Sequence, residues 1–305
     1  GEVDEILLNI GLSGNERIDD GLSARDYLLR KCDLKNVPTL VLELLNDTGD
    51  QSINVDERHF IDVVLQQSNR IKTLSLSERT NVIKSLKTIQ PRFYSIASSP
   101  NRDAGEIHIC VAAVRYETLE RKRHGVTSCF LIDRCPIGSQ IPVFIQRNPD
   151  FRLPQSPSTP KIMIGPGTGV APFRSFIRHI YNDASVADSM LFFGSRHNKA
   201  DYLYGEELEA WSKADGCSLI TAFSRDQPEK VYVQHRISQP ERAKRVWELI
   251  QNDGQIYICG DGWSMASDVR QSLEQLAQKY SNENLSEEDA KKLIESRIHL
   301  DVWVV

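Results

Sequence analysis

The chain has 305 residues, with 37 Lys and Arg against 42 Asp and Glu, a net charge of −5 and 40% hydrophobic residues. That is the makeup of a globular protein of about two domains, and it argues against general nucleic-acid binding. No apolar run approaches the ~20 residues that a membrane span needs, and the acidic start Gly1-Glu2-Val3-Asp4-Glu5 lacks the basic-then-apolar pattern of a signal peptide. Six scattered cysteines form no C-x-x-C pair and flank no His pair, so the expectation is free thiols, no metal site and a reducing, cytoplasmic setting.

Residues 1 to about 90 read as helical. Asp4 to Ile10 is a short amphipathic piece, and Ser23 stands as an N-cap with an acid three residues on. Further helical pieces lie at 38–46, 56–68 and 77–87, with Ser75 or Ser77 as the last cap. This part has no glycine between Gly49 and Gly105 and little catalytic chemistry. It reads as a helical spacer, with His59 as a surface or packing residue.

At Pro91 the period changes. Arg92 to Ser99 reads as a strand ending in a polar turn. Glu106 to Tyr116 reads as a second strand, with Ile107, Ile109, Val111 and Ala113 on one side, and Ile141 to Gln146 as a third. The run Arg121-Lys122-Arg123-His124 is open to two readings, a solvated loop or a contact for an anion or partner. Pro154 to Pro160, with three prolines and two serines, is the clearest linker. Strand and helix then alternate: 161–164 and 172–182, 190–194 and 205–214, 217–223 with 230–238 and 241–251, 255–259 and 264–280. A last helix opens at Ser286, and Leu300 to Val305 forms a short strand. This alternation predicts a parallel sheet with helices on both faces.

In such a sheet, ligands collect at the carboxyl ends of the strands. Ile162-Met163-Ile164 leads into Gly165-Pro166-Gly167-Thr168-Gly169, and Pro172 is placed to open the following helix. The glycines let backbone approach a ligand and the helix offers its free N–H groups to an anion. The pattern is neither G-x-G-x-x-G nor a P-loop, and an ordinary tight turn is the other reading. Three more clusters fall at strand ends: Gly194-Ser195-Arg196, Ser224-Arg225 with Lys230 to Gln234, and Cys259-Gly260-Asp261. Arg196 suits a second phosphate. Ser224, Arg225 and Lys230 suit a terminal phosphate, and Tyr232 can add a hydroxyl or stack on a base. That set fits a 2′-phosphate better than the ribose-binding acid of an NAD site, although Asp226 could instead pair with Arg225.

Taken in order, Arg92-Phe93-Tyr94-Ser95, Gly125-Val126-Thr127-Ser128, Gly165 to Gly169, Ser224-Arg225 with Lys230-Val231-Tyr232-Val233-Gln234, Cys259-Gly260-Asp261 and Asp301-Val302-Trp303 resemble the reductase module of the NADPH-dependent diflavin reductases. That family includes the flavoprotein subunit of sulfite reductase, NADPH–cytochrome P450 reductase and the reductase half of nitric oxide synthase. Phe151-Arg152-Leu153-Pro154 also looks like the family. A sulfite reductase subunit is the favoured member, while the Asp301-Val302-Trp303 ending looks more like cytochrome P450 reductase.

The resemblance implies an α/β plus β-barrel fold. It comprises a helical connecting region (1–90), part of an antiparallel FAD-binding barrel (91–153), a linker (154–160) and a doubly wound, parallel-sheet NADP-binding domain (161–305) of the ferredoxin–NADP reductase type. Arg92, Tyr94 and Ser95 would hold the flavin ring and its phosphate, and Gly125, Val126, Thr127 and Ser128 the FAD pyrophosphate. Gly167, Thr168 and Arg196 would face the NADPH pyrophosphate, and Ser224, Arg225, Lys230, Tyr232 and Gln234 the adenosine phosphate. Ser95, Cys259 and Asp301 would meet at the nicotinamide–flavin contact, with Trp303 stacked on the isoalloxazine and moving aside for nicotinamide. Electrons would pass to FMN on a flavodoxin-like domain, in cis or trans, and on to an acceptor such as a hemoprotein subunit. The first barrel strands and the FMN domain are absent from this sequence, and Val304 and Val305 extend past Trp303. Alternatives are a stand-alone flavodoxin or ferredoxin reductase, against which the helical region speaks, and an NADP-binding fragment without flavin.

Overall fold

The computed structural model describes residues 1–18, 21–46, 58–180, 188–281 and 283–303. The parts of the expected helices at 56–57 and 181–182, together with Val304 and Val305, lie outside the described residues. The chain divides into two compact units, one of residues 1–92 and 113–137, the other of residues 93–112 and 138–305.

The first unit is built on amphipathic helices: α1 (Glu2–Ile10), α2 (Ala24–Arg30), α3 (Thr39–Asn46), α4 (Phe60–Gln66), α5 (Ser68–Ile71) and α6 (Leu76–Lys84). Val3, Ile6, Leu7 and Ile10 recur at helical spacing and are buried in one core with Leu28, Phe60, Val64, Val82 and Ile83. Gly11, at φ 73°, ends α1 in the left-handed region. Ser23 caps α2, and Ser75, not Ser77, caps α6 in a reciprocal box: its hydroxyl accepts the Glu78 amide at 3.3 Å and Glu78 accepts the Ser75 amide at 2.7 Å.

An antiparallel hairpin follows, β1 (Arg115–Thr118) and β2 (Arg121–His124), and then α7 (Val126–Asp133). The charged run at 121–124, expected to be a loop, is therefore a strand. Its turn, Leu119-Glu120, holds both residues at positive φ, 49° and 58°. That is the backbone of a two-residue hairpin turn, carried here without the Asn or Gly that would announce it.

The three strands expected at 92–99, 106–116 and 141–146 form no common sheet among the described residues. Ile96 bridges Ile109, and only 115–116 of the second stretch enters the hairpin. Alternation supplies a strand's side-chain pattern, but a ladder needs a second segment to pair with along at least one polar edge. Phe93, Val143, Phe144 and Ile145 are exposed. The antiparallel part of the fold is thus the small β1–β2 sheet.

The second unit carries the expected parallel sheet. In chain order it runs β3 (Lys161–Ile164), a 3₁₀ turn (Gly167–Val170), α8 (Ala171–Ile180), β4 (Ser189–Ser195), α9 (Asn198–Asp201), α10 (Gly205–Trp211), β5 (Cys217–Phe223), α11 (Val233–Ile237), α12 (Pro240–Gln251), β6 (Gln255–Asp261), α13 (Met265–Tyr280), α14 (Glu287–Glu295) and β7 (Ile298–Trp303). Among the described residues the strands lie in the order β5-β4-β3-β6-β7, all parallel.

Successive strand residues feed opposite faces. Ile162, Ile164, Phe192 and Ile258 pack with Val246, Trp247, Val269 and Leu273. Met163, Leu191, Phe193 and Tyr257 pack with Phe173, Ile177, Leu208 and Trp211. The chain winds outward from β3 through β4 to β5, then returns to β6 and β7 on the other side, so the strand order reverses between β3 and β6. That reversal opens a crevice at the carboxyl ends of those two strands. At the opposite end of β3 the Lys161 ammonium is buried and donates to the Pro157 and Thr159 carbonyls at 3.2 and 2.8 Å, within the expected linker.

Candidate functional site

The glycines after β3 divide into two kinds. A Cβ on Gly165 would stand 2.5 Å from the Gly169 carbonyl oxygen, and one on Gly169 would stand 2.2 Å from the Cys259 carbonyl oxygen. These two glycines let the turn press against itself and against the end of β6. Gly167, at φ 56°, meets nothing where its Cβ would be. It is the glycine that leaves backbone open to a ligand. The helix that follows opens with Ala171, and Pro172 is its second residue rather than its first.

At the ends of β4 and β5, the Ser224 and Arg225 amides donate to the Ser195 and Arg196 carbonyls, each at 2.9 Å, and bring the second and third clusters side by side. Ser224 is buried, and its hydroxyl donates to the Ser195 carbonyl at 3.3 Å. The Ser195 hydroxyl is buried and has no partner among the described residues. Asp226 does not pair with Arg225. It accepts the Asn198 amide at 2.9 Å and faces His197 Nδ1 at 3.1 Å, and these two contacts hold its carboxyl below the usual carboxylate range. Among the described residues, no carboxylate pairs with Arg196, Arg225 or Lys230. Tyr232 caps α11 and leaves its ring partly exposed, 5.6 Å from the His235 ring. Gln234 donates its amide to Asp268 of α13 at 3.0 Å, a contact that the sequence did not suggest. Cations without partners beside an unsatisfied hydroxyl form a site for an anion with several oxygens.

Cys259 on β6 stands opposite Asp301 on β7. The Ser95 hydroxyl donates to Asp301 Oδ2 at 2.5 Å and lies 4.0 Å from Cys259 Sγ, which is itself 3.7 Å from the same carboxylate oxygen. Three residues far apart in sequence thus meet at the crevice. Cys259 is fully buried, and burial, with the Asp301 charge beside it, pushes its thiol well above the usual range. The sulfur is therefore a neutral packing group near neutral pH, not a nucleophile. Trp303 ends β7 exposed, its carbonyl accepting the Gly262 amide at 2.9 Å. Asp261 faces its own chain: the Ser264 hydroxyl and the amides of Ser264, Met265 and Trp263 hold its carboxyl down to about 2.

The first unit places all but one of the remaining candidates. Gly125 precedes α7, and a Cβ there would stand 2.5 Å from Ser128 Oγ and 2.9 Å from Val114 Cβ. Ser128 is buried, and its hydroxyl accepts the Val114 amide at 3.2 Å, so it is turned toward the chain. Val126 is exposed and Thr127 half-buried on the opening turn of the same helix. Arg92 donates to the Gln90 carbonyl at 2.8 Å. Tyr94 lies in the second unit, one residue before Ser95.

Two charged networks escaped the sequence reading. In the first unit Arg121 binds Glu5, and Arg123 binds Asp62 and Glu2. In the second, Arg174 donates to Glu207 at 2.9 Å and to the Ala97 carbonyl at 2.8 Å, while Arg178 pairs with Glu207 and Asp103. The Arg178 guanidinium holds Asp103 well below the usual carboxylate range. Two arginines four apart on α8, and so on one side of it, were the available signal.

An oxidoreductase NAD-binding domain family matches residues 163–271, and an FAD-binding domain family matches residues 39–130. NADPH oxidoreductase A of Dictyostelium discoideum is 35% identical over 305 residues, covering 91% of this chain and 47% of that protein. The sulfite reductase [NADPH] flavoprotein alpha-component of Shewanella sp. (strain MR-7) is 37% identical over 311 residues, 96% of this chain and 50% of its own. That of Vibrio parahaemolyticus is 36% identical over 307 residues, 95% and 48%. The chain spans about half the length of the curated relatives it matches. The chain thus belongs, through these two domains, to the FAD-binding and oxidoreductase NAD-binding families, and over most of its length it is similar to NADPH-dependent flavoprotein reductases.

Proposed function

We propose that this chain is the FAD- and NADPH-binding module of a diflavin reductase of the sulfite reductase type. It hands electrons to FMN on a flavodoxin-like domain, in cis or trans, and from there to an acceptor such as a hemoprotein subunit. The proposed division is a helical connecting region at 1–90, a barrel portion at 91–153, a linker at 154–160 and the NADP-binding domain at 161–305. A cytoplasmic location is part of the proposal; among the described residues no helix is long and apolar enough to cross a membrane.

The observation that carries the reading is a sheet edge with Arg196, Arg225 and Lys230, unpaired among the described residues, at one end and the Ser95–Asp301–Cys259 cluster at the other. Gly167, Thr168 and Arg196 receive the NADPH pyrophosphate. Ser224, Arg225, Lys230 and Tyr232 receive the 2′-phosphate, and Gln234 joins them on giving up its contact with Asp268. When bound, FAD supplies the redox chemistry, taking hydride from NADPH and releasing electrons singly.

The chain's own residues orient and stabilise. The Asp301 carboxylate steadies the positive charge that develops on nicotinamide as hydride leaves. Ser95 fixes the direction of that carboxylate, and the neutral Cys259 thiol packs the ring without drawing off a proton. Trp303 would help to hold the isoalloxazine and would yield its place to nicotinamide. Arg92, Tyr94 and Ser95 would hold the flavin ring and its phosphate; Gly125, Val126, Thr127 and Ser128 would offer the opening turn of α7 to the FAD pyrophosphate.

A second reading, a nucleotide-binding fragment without flavin, draws on the missing ladder at 92–99, 106–114 and 141–146. The test is an anaerobic absorbance spectrum with FAD supplied and NADPH then added. A bound-flavin spectrum that bleaches supports the reductase. NADP retained with no flavin bound supports the fragment.

A further inference from the structure

The segment that carries Ser95 has almost no ladder of its own. Ile96 bridges Ile109, and the Ala97 amide donates to the His108 carbonyl at 2.8 Å. Yet Ala97, Ser98 and Ser99 are fully buried or nearly so. Side chains of α8 hold them. Arg174, itself buried, donates Nη1 to the Ala97 carbonyl at 2.8 Å and reaches His108 Nδ1 at 3.1 Å. Its Nε donates to Glu207 at 2.9 Å, and its guanidinium lies 4.7 Å from the centre of the Tyr204 ring. The Ser175 hydroxyl donates to the Ser98 carbonyl at 2.7 Å. Arg178 fixes Asp103, which accepts the Ser99 amide at 2.9 Å.

We infer that Arg174 is a positioning residue: through the Ala97 carbonyl it holds the segment bearing Ser95, and so sets the geometry of Ser95 against Asp301 and Cys259. This rests on the proposed reductase reading for its kinetic consequence, though not for its structural one. Arg174 is suited to the task because a planar guanidinium donates in two directions at once, here to a backbone carbonyl and to Glu207. A lysine has one donor centre and cannot span both. The helix that carries Arg174 follows the Gly165–Gly169 turn, so the element that begins beside the nucleotide turn also fixes the serine at the reacting end.

The experiment uses Arg174→Lys in the full chain, with two readouts. In the flavin-free chain, alkylation of Cys259 is followed by peptide mapping, with Cys217 in the same unit as internal reference and the urea midpoint measured alongside. In the FAD-loaded chain, single-turnover flavin reduction by NADPH and the Kd for NADP⁺ are measured, alone and in a Ser95→Ala background. The expected result is Cys259 labelling raised about tenfold over the reference and reduction slowed about tenfold, the loss of one charge-assisted contact. The NADP⁺ Kd stays within about twofold, because Arg174 touches none of the residues placed against that nucleotide. In the Ser95→Ala background the lysine change costs little more.

Unchanged Cys259 labelling, labelling that rises no more than the fall in urea midpoint accounts for, or rate losses that add in the double variant would each overturn the proposal. Should Arg174→Lys not fold, Ser175→Ala removes one hydrogen bond to the same segment and is expected to raise Cys259 labelling about threefold; no rise would overturn it. A wild-type chain that binds FAD but does not bleach with NADPH defeats the reductase reading, and the labelling arm still decides the role of Arg174.

Discussion

Arg121 and Arg123 of β2 stand among carboxylates, whereas Arg196 and Arg225, at the ends of β4 and β5, pair with none among the described residues. In the first group the Arg123 side chain is 5% exposed and Asp62, its partner, 7%, with two contacts of 2.7 and 2.6 Å and a third to Glu2 at 2.9 Å. In the second group the nearest acid in sequence, Asp226, is engaged by His197 and Asn198. Both groups look alike in a sequence, as basic residues near a turn. What separates them is the partner opposite: a cation buried with its own carboxylate belongs to the fold, and a cation left open at a strand end is available to a ligand. The alternation in β2 completes the contrast. Arg121 and Arg123 share one face, while Lys122 and His124 are exposed on the other.

The largest effect is expected at the paired group. Asp62→Ala leaves Arg123 buried without its main partner and should cost about 3–5 kcal/mol in urea unfolding, with NADP⁺ affinity unchanged. A loss below about 1 kcal/mol would place the pair with solvated ion pairs and break the comparison.

Next comes the open group. Arg225→Ala should weaken NADPH by about 1.5–3 kcal/mol, roughly ten- to hundredfold. NADH binding should be untouched, and stability should stay within about 0.5 kcal/mol. Equal losses for the two cofactors in a binding titration would remove the 2′-phosphate assignment.

Asp261 offers a third kind of charge, a carboxylate satisfied by its own turn. Asp261→Asn keeps one acceptor oxygen but removes the charge, and should cost about 1 kcal/mol at pH 7, the difference between charge-assisted and neutral hydrogen bonds. The Asp261 pKa is depressed to about 2 in the folded chain against about 3.9 unfolded. Its contribution is therefore complete above pH ~4 and lost as the pH falls toward 2. The Tm gap between variant and wild type should close over that window; a gap constant with pH would show that the charge is not what stabilises the turn.

The smallest effect is expected at Asp226→Asn, with the urea midpoint little changed and NADPH affinity altered by less than about twofold. A tenfold gain in NADPH affinity would mean that Asp226 does screen Arg225.

The parallel sheet was legible because its strands are short apolar runs buried on both faces, as at Ile162 to Ile164 and Leu191 to Phe193, each followed by glycine or a polar turn. Ser23, Ser75 and Ser286 announce their helices through chemistry confined to one turn. The β1–β2 hairpin was hidden because Leu119 and Glu120 take up a backbone that their side chains do not advertise. The stretches at 92–99 and 141–146 have a strand's alternation, but pairing is a property of two segments and cannot be read from one. The same limit governs the site. That Ser224 and Arg225 follow a strand is local, and the sequence shows it. That Asp226 turns to Asn198, Gln234 to Asp268 and Ser95 to Asp301 depends on contacts across 28, 34 and 206 residues; only the last was anticipated, through the family resemblance.

The seam where Gly169 meets the Cys259 carbonyl has a practical consequence. With a would-be Cβ 2.2 Å from that oxygen, the turn after β3 cannot drift from the end of β6 without opening the sheet. In the proposed reading, the distance between the phosphate-holding turn and the reacting cluster is therefore a fixed gauge, cut into the backbone itself. Tuning for one nicotinamide nucleotide over the other can proceed at residues 224–234, one side chain at a time, while the gauge stays as it is. A single methyl group at position 169 would reset it for every cofactor at once.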